Sequence, residues 1–299
     1  PALPVSNDLL QIRFGCWSWF SVHLELWVFV QEVTMLRMLP LFLLIFQGFN
    51  IYSPEVVIQN NQTVMYFGGW MSAADLPYDA IYRCPLPCVQ PVEVIAPPFG
   101  SLVQVNDPTL VQMPGGYWIM YMTGSTSLGG ELTSQGVYFA TSWDGITWST
   151  PQLLIPGYWL PSAVLKDGRV YLYVNPTVSP NKQWRFDLGT SGVSVGVPVI
   201  TTHAQPYNYA NVDVMCHPSI SLCQMVAENI GNFPASQIDY LYSSDGVNWT
   251  FGQTIITAPT GGSVRTPAMH PGTAYYIYYG CSNTRDGMSN QICFEDWSP

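Results

Sequence analysis

Strand-like segments and short turns alternate along most of the chain, and the same unit of this pattern returns several times. Four units have an apolar strand that starts at or near a proline, a turn rich in Gly, Asn or Asp, and a second strand rich in aromatic residues, and a weaker copy of the unit covers residues 212–226. Short apolar runs bounded by such turn residues predict β-strands joined by hairpins. The five units start at Pro54, Pro108, Pro161, Val214 and Pro267.

The spacing of these starts is almost constant, with steps of 54, 53, 53 and 53 residues. Periods of about 40–50 residues with four strands each are typical of propeller blades. We therefore predict an all-β fold, a five-bladed β-propeller, and keep a β-sandwich or another all-β repeat as the alternative. The blades are expected over residues 48–94, 95–154, 155–200 and 201–256, with a fifth from residue 257 that lacks a full outer strand.

Residues 1–47 do not share the repeat and form an extra apolar N-terminal segment before the propeller predicted over residues 48–299. The apolar run 38–46 follows Met35 and Arg37, and a short basic region before such a run is typical of a secretory signal peptide. If translation starts at Met35, residues 1–34 are an upstream extension. An apolar helix packed on the domain is the alternative. A transmembrane helix is disfavoured, because it needs about 20 uninterrupted apolar residues and this run is shorter.

Composition narrows the classes of partner. The net charge of −10, with only 9 Lys and Arg, argues against nucleic acid and against anionic membrane surfaces. The 18 Tyr and 11 Trp in a chain with few charges suit stacking on sugar rings, although they also suit the packing of blade against blade. Carbohydrate is the predicted partner, and self-association stays open. No cofactor is predicted. A structural calcium ion is left open.

Six of the seven cysteines fall into three close pairs, Cys84 with Cys88, Cys216 with Cys223, and Cys281 with Cys293. This pairing is the simplest of the 15 that six cysteines allow. Zinc is the rival explanation, but no second Cys or His pair stands at zinc spacing from the first pair. Disulfides predict an oxidising compartment, so the protein is expected to be secreted, extracellular or periplasmic. Cys16 is left over.

Two hairpins share the pattern Ser-x-Asp-Gly-x-x-Trp, at residues 142–148 and 243–249, and we predict a type I′ turn from their Asp-Gly pairs. With these hairpins and the five strand starts, residues 48–299 resemble the five-bladed propellers of glycoside hydrolase families 43 and 32 and of related β-fructosidase and arabinanase-type enzymes. The hairpins themselves resemble the Asp-box of sialidases, which carries no catalytic role.

The resemblance implies three carboxyl groups at a central funnel, on the innermost strands of blades one, two and three. One acts as base or nucleophile, one supports it, and a Glu protonates the leaving oxygen, as glycoside hydrolysis requires. Only the blade-two position matches, in Asn106-Asp107-Pro108. Ser53 stands at the blade-one position and Leu160 at the blade-three position.

Two other acidic residues could replace the missing groups. Glu55 shares a strand face with Ser53. Asp213 precedes Val214 as Asp107 precedes Pro108, so both should open on the same rim. We therefore predict a catalytic set of Asp107, Asp213 and Glu55. The predicted substrate contacts are Trp70, Asp75, Glu228 and Arg265.

Three functional hypotheses follow. The first is a secreted glycoside hydrolase-like propeller that acts on or binds carbohydrate in its funnel. The second is a non-catalytic carbohydrate-binding or structural propeller, which the two unmatched carboxyl positions favour. The third is a self-assembling surface protein whose aromatic faces contact copies of itself.

Overall fold

The computed structural model describes residues 50–72, 78–128, 132–178, 182–203, 208–217, 221–230, 236–271, 276–284 and 290–297. The N-terminal segment with its predicted signal peptide, Cys16 and Asp75 lie outside these ranges.

Five antiparallel sheets follow one another along the chain, each ordered from an inner strand outward. Blades one and two contain β1 (Asn50–Gln59), β2 (Gln62–Trp70), β3 (Ala80–Pro85), β4 (Val92–Ile95), β5 (Gln104–Gln112), β6 (Trp118–Ser125), β7 (Gln135–Ser142) and β8 (Gln152–Pro156). Blade three contains β9 (Tyr158–Lys166), β10 (Arg169–Pro176), β11 (Trp184–Asp187) and β12 (Val199–Ile200).

Blades four and five depart from the four-stranded plan. Blade four contains β13 (Thr202–His203), β14 (Tyr209–Cys216), β15 (Cys223–Asn229), β16 (Gln237–Ser243) and β17 (Asn248–Thr257). The added strand β13 pairs in parallel with the outer strand β17. Blade five has three strands in the described ranges, β18 (Ser263–Met269), β19 (Tyr276–Ser282) and β20 (Gln291–Asp296). The expected lack of an outer strand in blade five is therefore confirmed for the described residues.

The apolar core is divided among the spaces between neighbouring blades. Val57 and Tyr66 of blade one pack with Met120 of blade two, and corresponding clusters fill the next three spaces. The last cluster joins Tyr278 of blade five to Ile51 of blade one. Because the fifth cluster links the last blade to the first, the sheets form a closed ring, and the predicted five-bladed β-propeller is confirmed.

Hydrogen bonds across the last space complete the closure. The backbone N–H of Ile51 donates to the carbonyl of Asn290 over 3.0 Å, and the N–H of Asn290 donates to Oδ1 of Asn50 over 2.9 Å. Within the described ranges, blades one and five do not share a strand. One backbone–backbone hydrogen bond and bonds to the side chain of Asn50 thus close the ring at this join.

A buried tyrosine ties each of the first three blades to a turn of the next. The hydroxyl groups of Tyr66, Tyr121 and Tyr173 donate to the carbonyl oxygens of Gly145, Gly192 and Gly246, at 2.6, 2.7 and 2.8 Å. All three tyrosines are fully buried. Since a buried carbonyl without a donor is costly, these bonds favour one arrangement of neighbouring blades.

We expect Tyr121→Phe to lower the free energy of unfolding by about 1 kcal/mol, because the carbonyl of Gly192 loses its donor while the packing is kept. Urea denaturation followed by circular dichroism measures this change. Tyr242→Phe, at a 41% exposed tyrosine, is the matched control. A Tyr121→Phe curve that coincides with the wild-type curve would contradict the role given to this hydroxyl.

The two Asp-Gly hairpins close through a side chain, so the predicted type I′ turn is wrong. Gly145 has a φ of 70°, whereas Asp144 does not lie in the positive-φ region that a type I′ turn needs. Oδ1 of Asp144 instead accepts the N–H groups of Ile146 and Thr147, both at 2.8 Å. These bonds hold the pKa of Asp144 down at about 2.

The three predicted disulfides are confirmed as Cys84–Cys88, Cys216–Cys223 and Cys281–Cys293. Each closes a short segment within a single blade. Among the described residues, no helix has both the length and the apolar character needed to cross a bilayer.

Candidate active site

Each inner strand carries a β-bulge at the same height, and the bulge defines the site. One residue in each strand has a φ between 44° and 54°, namely Ser53, Asp107, Leu160, Asn211 and Thr266. Positive φ is strained for residues other than glycine. Proline follows in four of the five strands, where its missing N–H suits an interrupted ladder.

The bulge turns two residues of each strand toward the common axis, the bulged one and the one two positions later. All of these residues except Ala268 line one pocket between the five inner strands. The outer layer, formed by the bulged residues, faces the end of the ring where the inner strands begin. We call this end the polar cleft. The inner layer lies below it and consists of Glu55, Thr109, Ser162, Asp213 and Ala268.

The predicted register of blade four is wrong by two residues. The bulge lies between Ala210, which pairs with Glu228, and Val212, which pairs with Ala227. The bulged residue is therefore Asn211, and Val212 takes the place that proline occupies in the other blades. Asp213 consequently corresponds to Glu55 in the inner layer and does not share the rim with Asp107.

Asp107 lies in the polar cleft, where two hydroxyl groups hold it. Oγ of Ser53 donates to its Oδ1 over 2.5 Å, and the hydroxyl of Thr123 is a second hydrogen-bond partner. Burial raises the pKa of Asp107, and these two hydrogen bonds partly oppose the rise. Gly68 leaves room for this strand, because a Cβ there would lie 3.1 Å from Cβ of Asn106.

Glu228 reaches the same cleft from β15, the second strand of blade four. Nδ2 of Asn211 donates to its Oε2 over 2.5 Å, and the backbone N–H of Thr266 is a further donor. Burial raises the pKa of Glu228, the charge of Arg265 lowers it, and the charge of Asp107 raises it again. The two carboxyl groups are thus close enough to interact. Once Asp107 ionises, Glu228 holds its proton more strongly.

A third carboxyl group lies beside this pair in a small network. The hydroxyl of Tyr52 donates to Oδ2 of Asp79 over 2.6 Å, and Nδ2 of Asn106 donates to both groups at 3.2 Å. Burial raises the pKa of Asp79 to about 6. Oδ1 of Asp79 is buried without a hydrogen-bond partner among the described residues. Sequence reasoning missed Asp79, although an acidic residue at the cleft end of a predicted strand was a usable signal.

The inner layer links each blade to the next by a hydrogen bond to the backbone. Glu55 accepts the N–H of Leu110 at 3.2 Å, and Oγ1 of Thr109 accepts that of Ala163 at 3.0 Å. The same relation joins Ser162 to Val214 at 3.1 Å and Asp213 to Met269 at 2.7 Å. At the fifth position Ala268 has no side-chain acceptor to offer to blade one.

Glu55 and Asp213 interact with each other across this layer. Burial raises the pKa of both, to about 6 for Asp213, and the charge of Asp213 raises that of Glu55 further. Their oxygens accept hydrogen bonds from the neighbouring blade. The catalytic role predicted for these two residues stays a prediction, and their contacts favour a role in joining blades.

Only some of the predicted substrate contacts lie at the cleft. Glu228 and Arg265 lie at the cleft, whereas Trp70, at the cleft end of β2, is only 7% exposed and its Nε1 is buried without a partner among the described residues. Asp75 lies outside the described residues. Within those ranges no group of three or more His, Cys, Asp or Glu could hold a metal ion.

The opposite end of the axis differs in chemistry. A funnel of about 350 Å³ opens there, lined mainly by apolar side chains such as Val57, Val111 and Leu165. Glu55 and Asp213 also border this funnel, so their layer separates it from the polar cleft. Asp79, Asp107 and Glu228 lie on the cleft side of this layer.

The fold and the axial carboxyl groups define the class of protein, a five-bladed β-propeller with an acidic cleft at one end of its axis. No protein-family model matches the sequence, and no curated protein matches it.

Solved structures that are similar in fold include glycoside hydrolases of family 43. A GH43_1 enzyme from Xanthomonas citri, complexed with xylotriose, is similar with a TM-score of 0.64 and 11% identity, over 84% of this chain and 88% of that chain. CoXyl43, a β-xylosidase/α-arabinofuranosidase from a compost microbial metagenome in complex with xylotriose, gives 0.61 and 9%, over 84% and 92%. At such identities the likeness concerns the fold, and the resemblance inferred from the sequence is confirmed at that level.

Proposed function

We propose that this protein binds carbohydrate at the polar cleft and hydrolyses a glycosidic bond there. Glu228 is the general acid, and Asp107 is the base or nucleophile. One observation carries the proposal. Two buried carboxyl groups from different blades lie close enough at the cleft that the charge of one raises the pKa of the other. Such a pair of unlike carboxyl groups is what glycoside hydrolysis needs.

The roles follow from the surroundings of each group. The hydroxyls of Ser53 and Thr123 stabilise ionised Asp107. Ionised Asp107 in turn keeps the proton on Glu228, which can then be given to the leaving oxygen. Arg265 lies near Glu228 and stabilises the carboxylate that remains after this transfer. The order of ionisation thus sets one group as base and the other as acid.

The substrate class is proposed from the structural relatives. Two of them were solved with xylotriose, and one is a β-xylosidase/α-arabinofuranosidase. We propose neutral pentose oligosaccharides as the first substrates to test. The three disulfides support a secreted protein, and residues 48–299 are proposed as the propeller domain.

The test is hydrolysis of xylo- and arabino-oligosaccharides and of their aryl glycosides by the full chain. We expect Asp107→Asn to lower kcat about 100-fold, because the base or nucleophile is lost while the shape is kept. Asp167→Asn is the matched control, since Asp167 lies in an exposed turn with a φ of 53° that asparagine tolerates well. Equal rates for wild type and Asp107→Asn would refute the assignment.

A non-catalytic carbohydrate-binding propeller is the second candidate. Ser53 and Leu160 occupy the axial positions where the resemblance implies carboxyl groups, and Ser53 itself engages Asp107. Binding of these oligosaccharides without turnover, weakened by Asp107→Asn, is the result expected from this candidate.

A further inference from the structure

We propose that Tyr117 and Trp143 form an accessory sugar-binding platform on blade two. Their ring centroids lie 5.6 Å apart with a tilt of 59°, and Trp143 is 76% exposed. The other seven tryptophans in the described ranges are buried or half-buried. The ligand class, neutral carbohydrate, rests on the proposed function, whereas the platform is a separate site.

The platform lies at the end of the ring opposite the polar cleft. Tyr117 belongs to the turn between β5 and β6, and Trp143 to the hairpin between β7 and β8. Because successive strands are antiparallel, both connections occur where the inner strand β5 finishes. A sugar on this platform would therefore not touch Asp107 or Glu228.

Blade four contains a second hairpin of the same pattern, with which the blade-two hairpin can be compared. In blade four, Oγ of Ser243 accepts the N–H of Gly246, and Oδ1 of Asp245 accepts two further N–H groups, as in blade two. At the position of Trp143 the blade-four hairpin has Ser244, which is exposed. The turn therefore forms without an indole, so its geometry does not explain Trp143.

Contacts with Tyr66 of blade one fix the position of the hairpin that carries Trp143. The carbonyl of Gly145 accepts the hydroxyl of Tyr66 in blade one at 2.6 Å. Trp148, five residues after Trp143, packs edge-on against the same tyrosine with centroids 6.2 Å apart. A ring on such a well-braced turn loses little conformational freedom when a ligand stacks on it.

The size and chemistry of the platform fit a sugar ring. Two aromatic rings offer far less area than the roughly 800 Å² per partner of a stable protein interface. Their π faces match the apolar C–H face of a pyranose, and exposed polar groups lie nearby at Gln112 and Thr147. The net charge of −10 favours a neutral polymer over an acidic one.

Native affinity electrophoresis in gels containing soluble neutral arabinoxylan, arabinan or galactan tests the platform. We expect Trp143→Ser, which gives this hairpin the residue type of the blade-four hairpin, to weaken retardation by one of these polymers about tenfold, as loss of one stacked ring implies. Ser244→Ala is the matched control and should not change retardation. Hydrolysis of small aryl glycosides should be the same in all three proteins.

The outcomes separate this proposal from the proposed function. Retardation that depends on Trp143 supports the platform even if no glycoside is hydrolysed. Equal retardation of wild type and Trp143→Ser, or no retardation by any neutral polymer, overturns it. Light scattering gives a further outcome. If Trp143→Ser changes the molecular mass of the protein in solution but not its retardation, the platform is overturned and the two rings are assigned to a contact between protein molecules.

Discussion

Glu228→Gln is expected to lower kcat on unactivated oligosaccharides about 1000-fold, because the leaving sugar oxygen then departs without a proton. On aryl glycosides with an acidic phenol, which needs little protonation, we expect a loss of less than about tenfold. Glutamine keeps an oxygen that can accept the Asn211 hydrogen bond, so the cleft should retain its shape. Steady-state rates on the two substrate types measure the contrast.

The pH profile gives a second readout of the same change. Since burial and the charge of Asp107 raise the pKa of Glu228, the alkaline limb of the wild-type profile should lie above the ordinary range of a glutamate. Glu228→Gln should lose this limb. Glu295→Gln, at an exposed position of β20, is the control and should keep both rate and profile. Equal losses on both substrate types would show that Glu228 is not the acid.

Asp213→Asn is expected to change how stability depends on pH. The pKa of Asp213 is about 6 in the folded protein, against about 3.9 for an unfolded aspartate. Between these values the folded state binds more protons than the unfolded state, so the free energy of unfolding falls as pH rises from 4 to 6. Asparagine removes this titration. Relative to wild type, the variant should gain about 2 kcal/mol between pH 4 and pH 8.

Urea unfolding at several pH values measures the difference between the two proteins. Glu55 shifts in the same direction, because burial and the charge of Asp213 both raise its pKa, and this steepens the wild-type decline. Asp144→Asn is the control, since the pKa of Asp144 is about 2 and the group does not titrate in this window. Wild-type and Asp213→Asn curves that stay parallel from pH 4 to pH 8 would contradict a buried, interacting Asp213.

Much of the fold could be predicted because its signal is local and repeated. Proline leads the inner strand in four of the five blades, turn residues and aromatic strands recur beside it, and the disulfides follow from cysteine spacing. The register of blade four could not be predicted in this way. In the other four blades the bulged residue is followed by a proline, whereas in blade four Asn211 is followed by Val212. A valine alone does not mark a bulge in the sequence.

The candidate site was predicted only in part. Asp107 stood out because its motif and position agree, whereas the interaction between Asp107 and Glu228 depends on which side chains meet across the ring. Strand alternation placed Glu55 on the axial face but gave no information on its depth. A difference of two residues moves a carboxyl group from the open cleft to a layer where backbone N–H groups of the next blade bind it.

The closure of the ring couples its last join to the carboxyl pair. Asp107 is bonded to Ser53 of blade one, Glu228 to the backbone of Thr266 of blade five, and the N–H of Ser53 donates to Oγ1 of Thr266 over 3.0 Å. Ala268 leaves this join without the inner-layer bond that the other four possess. Any widening of the gap between the first and last blades therefore separates Asp107 from Glu228, so this join also sets the distance between the two carboxyl groups.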